Sequence, residues 1–154
     1  MLNKIKKDNK GFTIIEVLIV LAIAGLILLV VFLAVPALQR NSRNTQLNSA
    51  VSSVLAGVTE YESNNNGALP TSVSTTSGTV TISGAGTPTT VKIGGGLNAN
   101  STAATGVDIV INLKAKCDPA SSTAATTTTN ATRNYAATYS LETSGSPAPR
   151  CTNG

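Results

Sequence analysis

An uncharged apolar segment over residues 17–35 constrains this sequence more than any other feature. Almost every position in it is Val, Leu, Ile, Ala or Phe. A helix of about 20 apolar residues crosses a hydrocarbon core of roughly 30 Å. Because this helix would be apolar on all faces, it must lie in lipid or inside a bundle of other helices.

The charges around this segment predict its orientation. Four lysines precede it, at positions 4, 6, 7 and 10, and only Asp8 opposes them, so most of the net charge of +4 lies before Gly11. Two arginines, Arg40 and Arg43, follow the segment. The positive-inside bias then places the lysines in the cytoplasm and the rest of the chain outside. The basic charge therefore indicates topology rather than nucleic-acid affinity.

After Pro36 the helical pattern becomes amphipathic. Apolar residues follow at i, i+4, i+7, i+8, i+11 and i+14: Leu47, Val51, Val54, Leu55, Val58 and Tyr61. Residues 64–67, Asn-Asn-Asn-Gly, are typical of a helix end, and Pro70 opposes continuation. We predict one nearly continuous helix over residues 12–66, with residues 12–36 in the membrane or a fibre core.

Residues 67–154 predict a small β-rich globular head. Short strand patterns lie at residues 79–83, 89–93, 107–113 and 134–142, and an antiparallel meander is their simplest arrangement. Residues 120–132 are rich in Ser, Thr and Ala and are predicted to form a surface loop. The predicted fold class is α+β, a long N-terminal helix packed on a small antiparallel sheet.

Two cysteines, Cys117 and Cys151, lie in this head. Disulfides persist outside the cytoplasm, and the head has neither Trp nor Phe to build a large core. A bridge closing a loop of this length would stabilise the fold by about 3–4 kcal/mol. We predict a structural disulfide, since neither close spacing nor an activating neighbour suggests redox chemistry.

The composition disfavours several kinds of chemistry. The chain has no histidine, so a zinc site lacks ligands and a nucleophilic triad lacks its usual base. Three glycines at positions 94–96 are not followed by the Lys-Ser/Thr of a phosphate loop. We therefore predict a protein that is not an enzyme and has no metal and no cofactor.

The residues from Lys10 to Val20, KGFTIIEVLIV, resemble the processing site of type IV pilins and pseudopilins. The resemblance covers residues 1–43 in detail. It implies a class III signal peptide, residues 1–11, that a prepilin peptidase cuts between Gly11 and Phe12 before methylating the new amine. It further implies an inner-membrane assembly platform with an assembly ATPase, and a helical homopolymer with the apolar helices inside.

Glu16 is the predicted assembly residue. An ionised carboxylate in an apolar segment costs about 2.5–3.5 kcal/mol near the bilayer centre and demands a partner. Cleavage creates one, the cationic amine of Phe12, and the resemblance implies that the pair forms between neighbouring subunits. The alternative is that Glu16 lies in the headgroup zone and is hydrated.

Gly25 and Pro36 weaken the helix, and the resemblance implies a stretch that melts in the fibre and makes it extensible. Pro36 removes the hydrogen bond to the Phe32 carbonyl and can kink the helix. The alternatives are a change of direction at the membrane exit for Pro36 and close helix packing for Gly25.

The leading prediction is an extracellular pilus subunit for adhesion, twitching motility or DNA uptake, held in the cytoplasmic membrane before assembly. A pseudopilin of a type II secretion system is the first alternative. A monomeric exported protein is the second, either anchored by this helix or cut near Ala37. DNA binding by a basic patch of Lys114, Lys116, Arg133 and Arg150 is the weakest of these expectations.

Overall fold

The computed structural model describes residues 11–94, 96–103, 106–127 and 133–154. The chain divides into two units, one ending at Leu38 and one from Gln39 to Gly154. One helix, α1, runs from Ile14 to Asn64, and its ends lie two residues inside the predicted ones. The predicted helix is therefore confirmed.

The part of α1 in the first unit has no buried side chain. Every residue from position 11 to 39 is exposed, including large apolar ones such as Phe32 and Leu33, which are 75% and 80% exposed. Within the described residues, α1 is the one helix long and apolar enough to cross a membrane. Such a surface is stable only in lipid or against other apolar helices.

In the second unit, α1 buries the predicted stripe. All six predicted residues from Leu47 to Tyr61 lie in the core, and Ala50 and Gly57 join them. A side chain at Gly57 would overlap those of Val91 and Ile82, so this glycine allows the sheet to approach the helix closely. The amphipathic half of the helix thus supplies much of the apolar core.

The end of α1 has the geometry that its asparagines and glycine predicted. Asn66 and Gly67 adopt left-handed backbone angles, with φ of 55° and 79°. The Gly67 amide donates to the Glu62 carbonyl at 2.7 Å, which satisfies one of the last free carbonyls of the helix.

In the described part of the head, nine strands follow the helix and form three sheets. Their bounds are β1 Ser72–Thr76, β2 Thr79–Ser83, β3 Thr89–Lys92, β4 Ala99–Asn100, β5 Ile109–Leu113, β6 Ala115–Asp118, β7 Ser121–Thr127, β8 Tyr135–Leu141 and β9 Ala148–Asn153. The strand orders are β1-β2-β3, β4-β5-β8-β9 and β6-β7. The fold class, α+β with a long N-terminal helix packed on β-sheets, is confirmed.

The predicted meander is correct for two pairs of the predicted strands, β2 with β3 and β5 with β8, which are antiparallel neighbours, but β3 and β5 belong to different sheets. In the second sheet β4 pairs with β5 in parallel, and β5 pairs with β8 rather than with the next strand in the chain. The cause is the hairpin β6-β7, which lies between β5 and β8 in sequence and forms its own antiparallel pair.

The prediction of a loop at residues 120–132 was wrong for most of the residues that the structure describes there. Ser121–Thr127 forms β7, because threonine favours extended backbone and β6 supplies a pairing partner. Residues 128–132 lie outside the described part of the chain.

Asparagine side chains hold two loops against the helix. Asn44 accepts from the Glu142 amide and donates to the Glu142 carbonyl, each at 2.8 Å. Asn65 does the same to Thr87, accepting from its amide at 2.8 Å and donating to its carbonyl at 3.2 Å. Each pair satisfies a loop's backbone groups as a neighbouring strand would. Arg43 adds an exposed ion pair to Glu142 at 3.0 Å.

A disulfide joins Cys117 on β6 to Cys151 on β9, with Cα atoms 5.6 Å apart. The Cys117 amide also donates to Asn153 Oδ1 at 2.7 Å. The hairpin β6-β7 is therefore tethered to the last strand of the four-stranded sheet by one covalent bond and one hydrogen bond.

Replacing both cysteines by serine should lower the free energy of unfolding of the second unit. The bridge spans 34 residues of sequence, for which the loss of chain entropy predicts about 3–4 kcal/mol. Thermal unfolding of the full-length chain in detergent, with and without reductant, measures it. Reductant should lower the unfolding temperature of the wild type to that of the variant and leave the unfolding temperature of the variant unchanged. An unfolding temperature equal in all four samples would refute the prediction.

The burial of one Glu62 carboxylate oxygen predicts that the stability of the head depends on pH. The Glu62 Oε1 atom is buried and has no hydrogen-bond partner in the described part of the chain. Desolvation raises the pKa of this carboxyl above its ordinary value of 4.5, and the positive charge of Arg133 opposes the shift. The folded state therefore holds the proton more tightly than the unfolded state, so stability falls as pH rises through the folded-state pKa.

Glu62→Gln should flatten this dependence. The variant should be more stable than the wild type near pH 7, and the difference should shrink towards about pH 4, where the wild-type carboxyl is protonated. Thermal unfolding across this pH range tests it, with Glu60→Gln, an exposed neighbour, as the control. Parallel profiles for the wild type and Glu62→Gln would show that Glu62 is not the group responsible.

Candidate processing and assembly site

The start of α1 is held by a reciprocal capping box. Thr13, the residue before the helix, donates to Glu16 Oε2 from its amide at 2.9 Å and from its hydroxyl at 2.8 Å. In return the Glu16 amide donates to Thr13 Oγ1 at 3.3 Å. Thr-x-x-Glu is the sequence that satisfies two free amides at a helix start in this way.

The capping box positions the Glu16 side chain at the start of α1. Glu16 is the acidic residue of the first turn, where the partial positive charge of the helix N-terminus favours an anion. No acidic residue lies between Glu16 and Glu60 in the sequence. The carboxylate thus lies at the edge of the apolar segment and is held there by Thr13.

The bond between Gly11 and Phe12 is accessible. Residues 11–13 form no regular secondary structure, and Phe12 is 87% exposed. A side chain added at Gly11 would meet no atom within 4 Å. Nothing in the described chain would have to move for a protease to reach this bond.

Phe12 and Glu16 share a shallow depression on the surface of the first unit. The other residues lining it are Val17, Val20 and Leu21, all on the first two turns of α1. The depression combines an apolar floor with one carboxylate, which is the chemistry needed to receive an apolar group that carries a positive charge.

Gly25 and Pro36 lie further along the same helix. The helix is continuous through both, and Gly25 has open space around its Cα. Their part in fibre flexibility stays a prediction. Cys117 and Cys151 belong to the other unit and form the disulfide described above.

Residues 6–32 match the family model of the prokaryotic N-terminal methylation motif. The chain carries the class III signal peptide of type IV pilins and pseudopilins. In pilin-type proteins the methylation motif is the cleavage site of the prepilin peptidase, and those proteins assemble into filaments. The motif supports a type IV pilin-like or pseudopilin-like protein, and it is typical of structural proteins.

The methylation motif covers 27 of the 154 residues, so it describes the N-terminal segment and not the head. No curated protein and no solved structure matches the chain. Together with the apolar helix, the methylation motif supports membrane anchoring before any assembly.

Thr13 is the residue of this site that sequence analysis missed. Its signal was present, because Thr13 and Glu16 have the spacing of a capping box directly before an apolar segment. Glu16 therefore has a second role, which is to complete the hydrogen bonds at the start of its own helix.

Proposed function

We propose that this chain is a structural subunit of a type IV pilus-like extracellular filament that polymerises through its N-terminal helix. The observation that supports this most is the methylation motif on a helix whose first 26 residues, 14–39, are all exposed in the described part of the chain. A membrane can cover this surface in a monomer. In a filament, the helices of other subunits cover it.

In this proposal residues 1–11 are a leader that stays in the cytoplasm. A prepilin peptidase cuts between Gly11 and Phe12 and methylates the new amine. Residues 12–36 hold the mature subunit in the cytoplasmic membrane, and residues 67–154 form the exported head. An assembly platform and its ATPase then move the subunit into the growing filament.

Cleavage changes the electrostatics of the site. Before it, the nitrogen of Phe12 is a neutral amide, and among the described residues the Glu16 carboxylate accepts hydrogen bonds only from Thr13. Afterwards the nitrogen is a cation next to Thr13. A charge pair between Glu16 and the Phe12 amine of a neighbour would neutralise both charges inside the apolar core, where each alone is costly.

The contacts between subunits are heterologous, so they repeat without closing and build a helical fibre. The heads then coat the fibre and decide what it binds. Adhesion, twitching motility and DNA uptake are the functions that we propose for such a filament.

A pseudopilin of a type II secretion system is the second candidate, because the methylation motif is common to both classes. The experiment that separates them is to shear filaments from cells and identify their subunits by mass spectrometry. Filaments made mainly of this chain support the pilus. Absence of the chain from surface filaments, together with loss of protein secretion on its deletion, would favour the pseudopilin.

A further inference from the structure

A concave pocket of about 310 Å³ lies at one end of the sheet formed by β5, β8 and β9, and Leu47 of α1 is among the residues that line it. Ile109 and Ile111 turn into the core, so Val110, between them on β5, faces the other way. Residues lining the pocket include Asp108, Val110, Thr123, Thr138, Ser140 and Pro149. Its volume is at the lower end of small-ligand sites, which begin at about 300 Å³ and suit one ring.

The base of the pocket is one hydrogen-bonded sheet, and the disulfide ties the wall of the pocket to that sheet. Val110 pairs with Thr138, and Ser140 pairs with Pro149, so β5, β8 and β9 form one continuous base. The wall comes from the hairpin, through Thr123 on β7. The Cys117–Cys151 bond fixes this hairpin to β9.

Hydrogen bonds within the protein orient the polar groups of the pocket. The side-chain amide of Asn112 donates to Thr138 Oγ1 at 3.1 Å, so the Thr138 hydroxyl must donate its own hydrogen elsewhere. Asp108 Oδ2 accepts from the Asn98 amide at 2.8 Å. Among the described residues, no group donates to the other carboxylate oxygen of Asp108, and none accepts a hydrogen bond from the Thr138 hydroxyl. The Asp108 oxygen is therefore a free acceptor for a ligand, and the Thr138 hydroxyl is a free donor.

The charge of the lining restricts the ligand. Asp108 is the only charged residue among those that line the pocket, so phosphate and carboxylate groups are repelled. The remaining polar side chains are hydroxyls, Tyr139 included, and the apolar ones are Leu47, Val107, Val110 and Pro149. These features match a ring that has hydroxyls on its edge, carbon atoms on its face and a positive charge.

We propose that this pocket binds the ring of an amino sugar. The ammonium group lies on the free oxygen of Asp108, ring hydroxyls bond Thr138 and Ser140, and the ring face contacts Val110 and Pro149. The site is separate from the N-terminal segment, and binding does not depend on whether the chain forms filaments.

The test is saturation-transfer NMR on the full-length chain in a detergent without sugar groups, using glucosamine, glucose and glucuronate as probes. Glucosamine should bind about threefold more tightly than glucose, since an exposed charge pair is worth up to about 1 kcal/mol. Glucuronate should show no binding. Failure of all three to bind, or glucuronate binding as well as glucosamine, would overturn the proposal.

Two variants locate the site. Asp108→Asn keeps a side-chain oxygen that can accept from the backbone amide of Asn98, and it should make glucosamine bind no better than glucose. Thr138→Val keeps the side-chain shape and should weaken both sugars by about tenfold. Thr90→Val, the same change at an exposed position on β3, is the matched control and should alter neither. Unchanged binding in both site variants would refute this site, and thermal unfolding verifies that each variant is folded.

Discussion

Glu16→Gln will be cut between Gly11 and Phe12 like the wild type, but it will yield no surface filaments. Glutamine removes the negative charge and keeps the side-chain oxygen that caps the helix, because Gln serves as well as Glu in a capping box. Removing one partner of a buried charge pair costs about 2–5 kcal/mol, which is more than tenfold in each subunit contact. Filament yield after shearing, with immunoblots of whole cells for processing, measures both results.

The matched control is Thr13→Val, which removes the cap and leaves the charge. Loss of a capping residue costs about 1 kcal/mol, so this variant should still form filaments, at a reduced yield. The two variants separate the roles of Glu16 that the structure and the methylation motif suggest. Wild-type filament yield from Glu16→Gln would mean that capping is its only role and would remove the charge pair from the proposal.

The second large effect is expected at Gly11. Gly11→Val should accumulate as uncut precursor and form no filaments, because a peptidase that approaches the backbone closely has no room for a branched side chain. The protein itself tolerates the change, since a side chain at Gly11 would meet no atom within 4 Å. Immunoblots that resolve the precursor from the mature form report the result.

Gly25→Val is the matched control for this prediction. It makes the same replacement at another glycine with open space around it, but inside α1 and away from the cleavage site. Its precursor should be cut normally, whatever happens to the filaments. Normal cutting of Gly11→Val would contradict the proposed need for a glycine before the cut.

The helix and its buried face could be predicted because each is encoded by a long and regular sequence pattern. Six apolar residues at helical spacing from Leu47 to Tyr61 define one face, and all six are buried. The uncharged run before them is equally unambiguous. Even the end of α1 was visible, because an asparagine and a glycine supply the left-handed backbone that it needs.

The strands of the head were harder to predict because several are short and rich in hydroxyl side chains. β1, Ser72–Thr76, and β7, Ser121–Thr127, have no apolar alternation that distinguishes a strand from a loop. β4 has only two residues, and it is held through Thr75, whose hydroxyl accepts from the Ala99 amide and donates to its carbonyl. Such pairing depends on the partner strand, which local sequence does not reveal.

For the candidate site, the sequence indicated Gly11, Phe12 and Glu16 through resemblance and through the cost of a charge in an apolar segment. The prediction did not include the hydrogen bonds that Glu16 makes within its own chain, although the spacing of Thr13 and Glu16 was their signal. These bonds depend on Thr13, whose short side chain reaches Glu16 only once the helix begins at Ile14. The pairing of Glu16 with another subunit involves a second chain and stays a prediction.

The first residue of the mature protein tests the central claim most directly. Intact-mass and N-terminal peptide mass spectrometry of the chain from its native cells should give Phe12 as the first residue, carrying one methyl group on its nitrogen. A chain that still begins at Met1, or one that begins after Ala37, would contradict processing at the methylation motif and with it the proposed filament subunit.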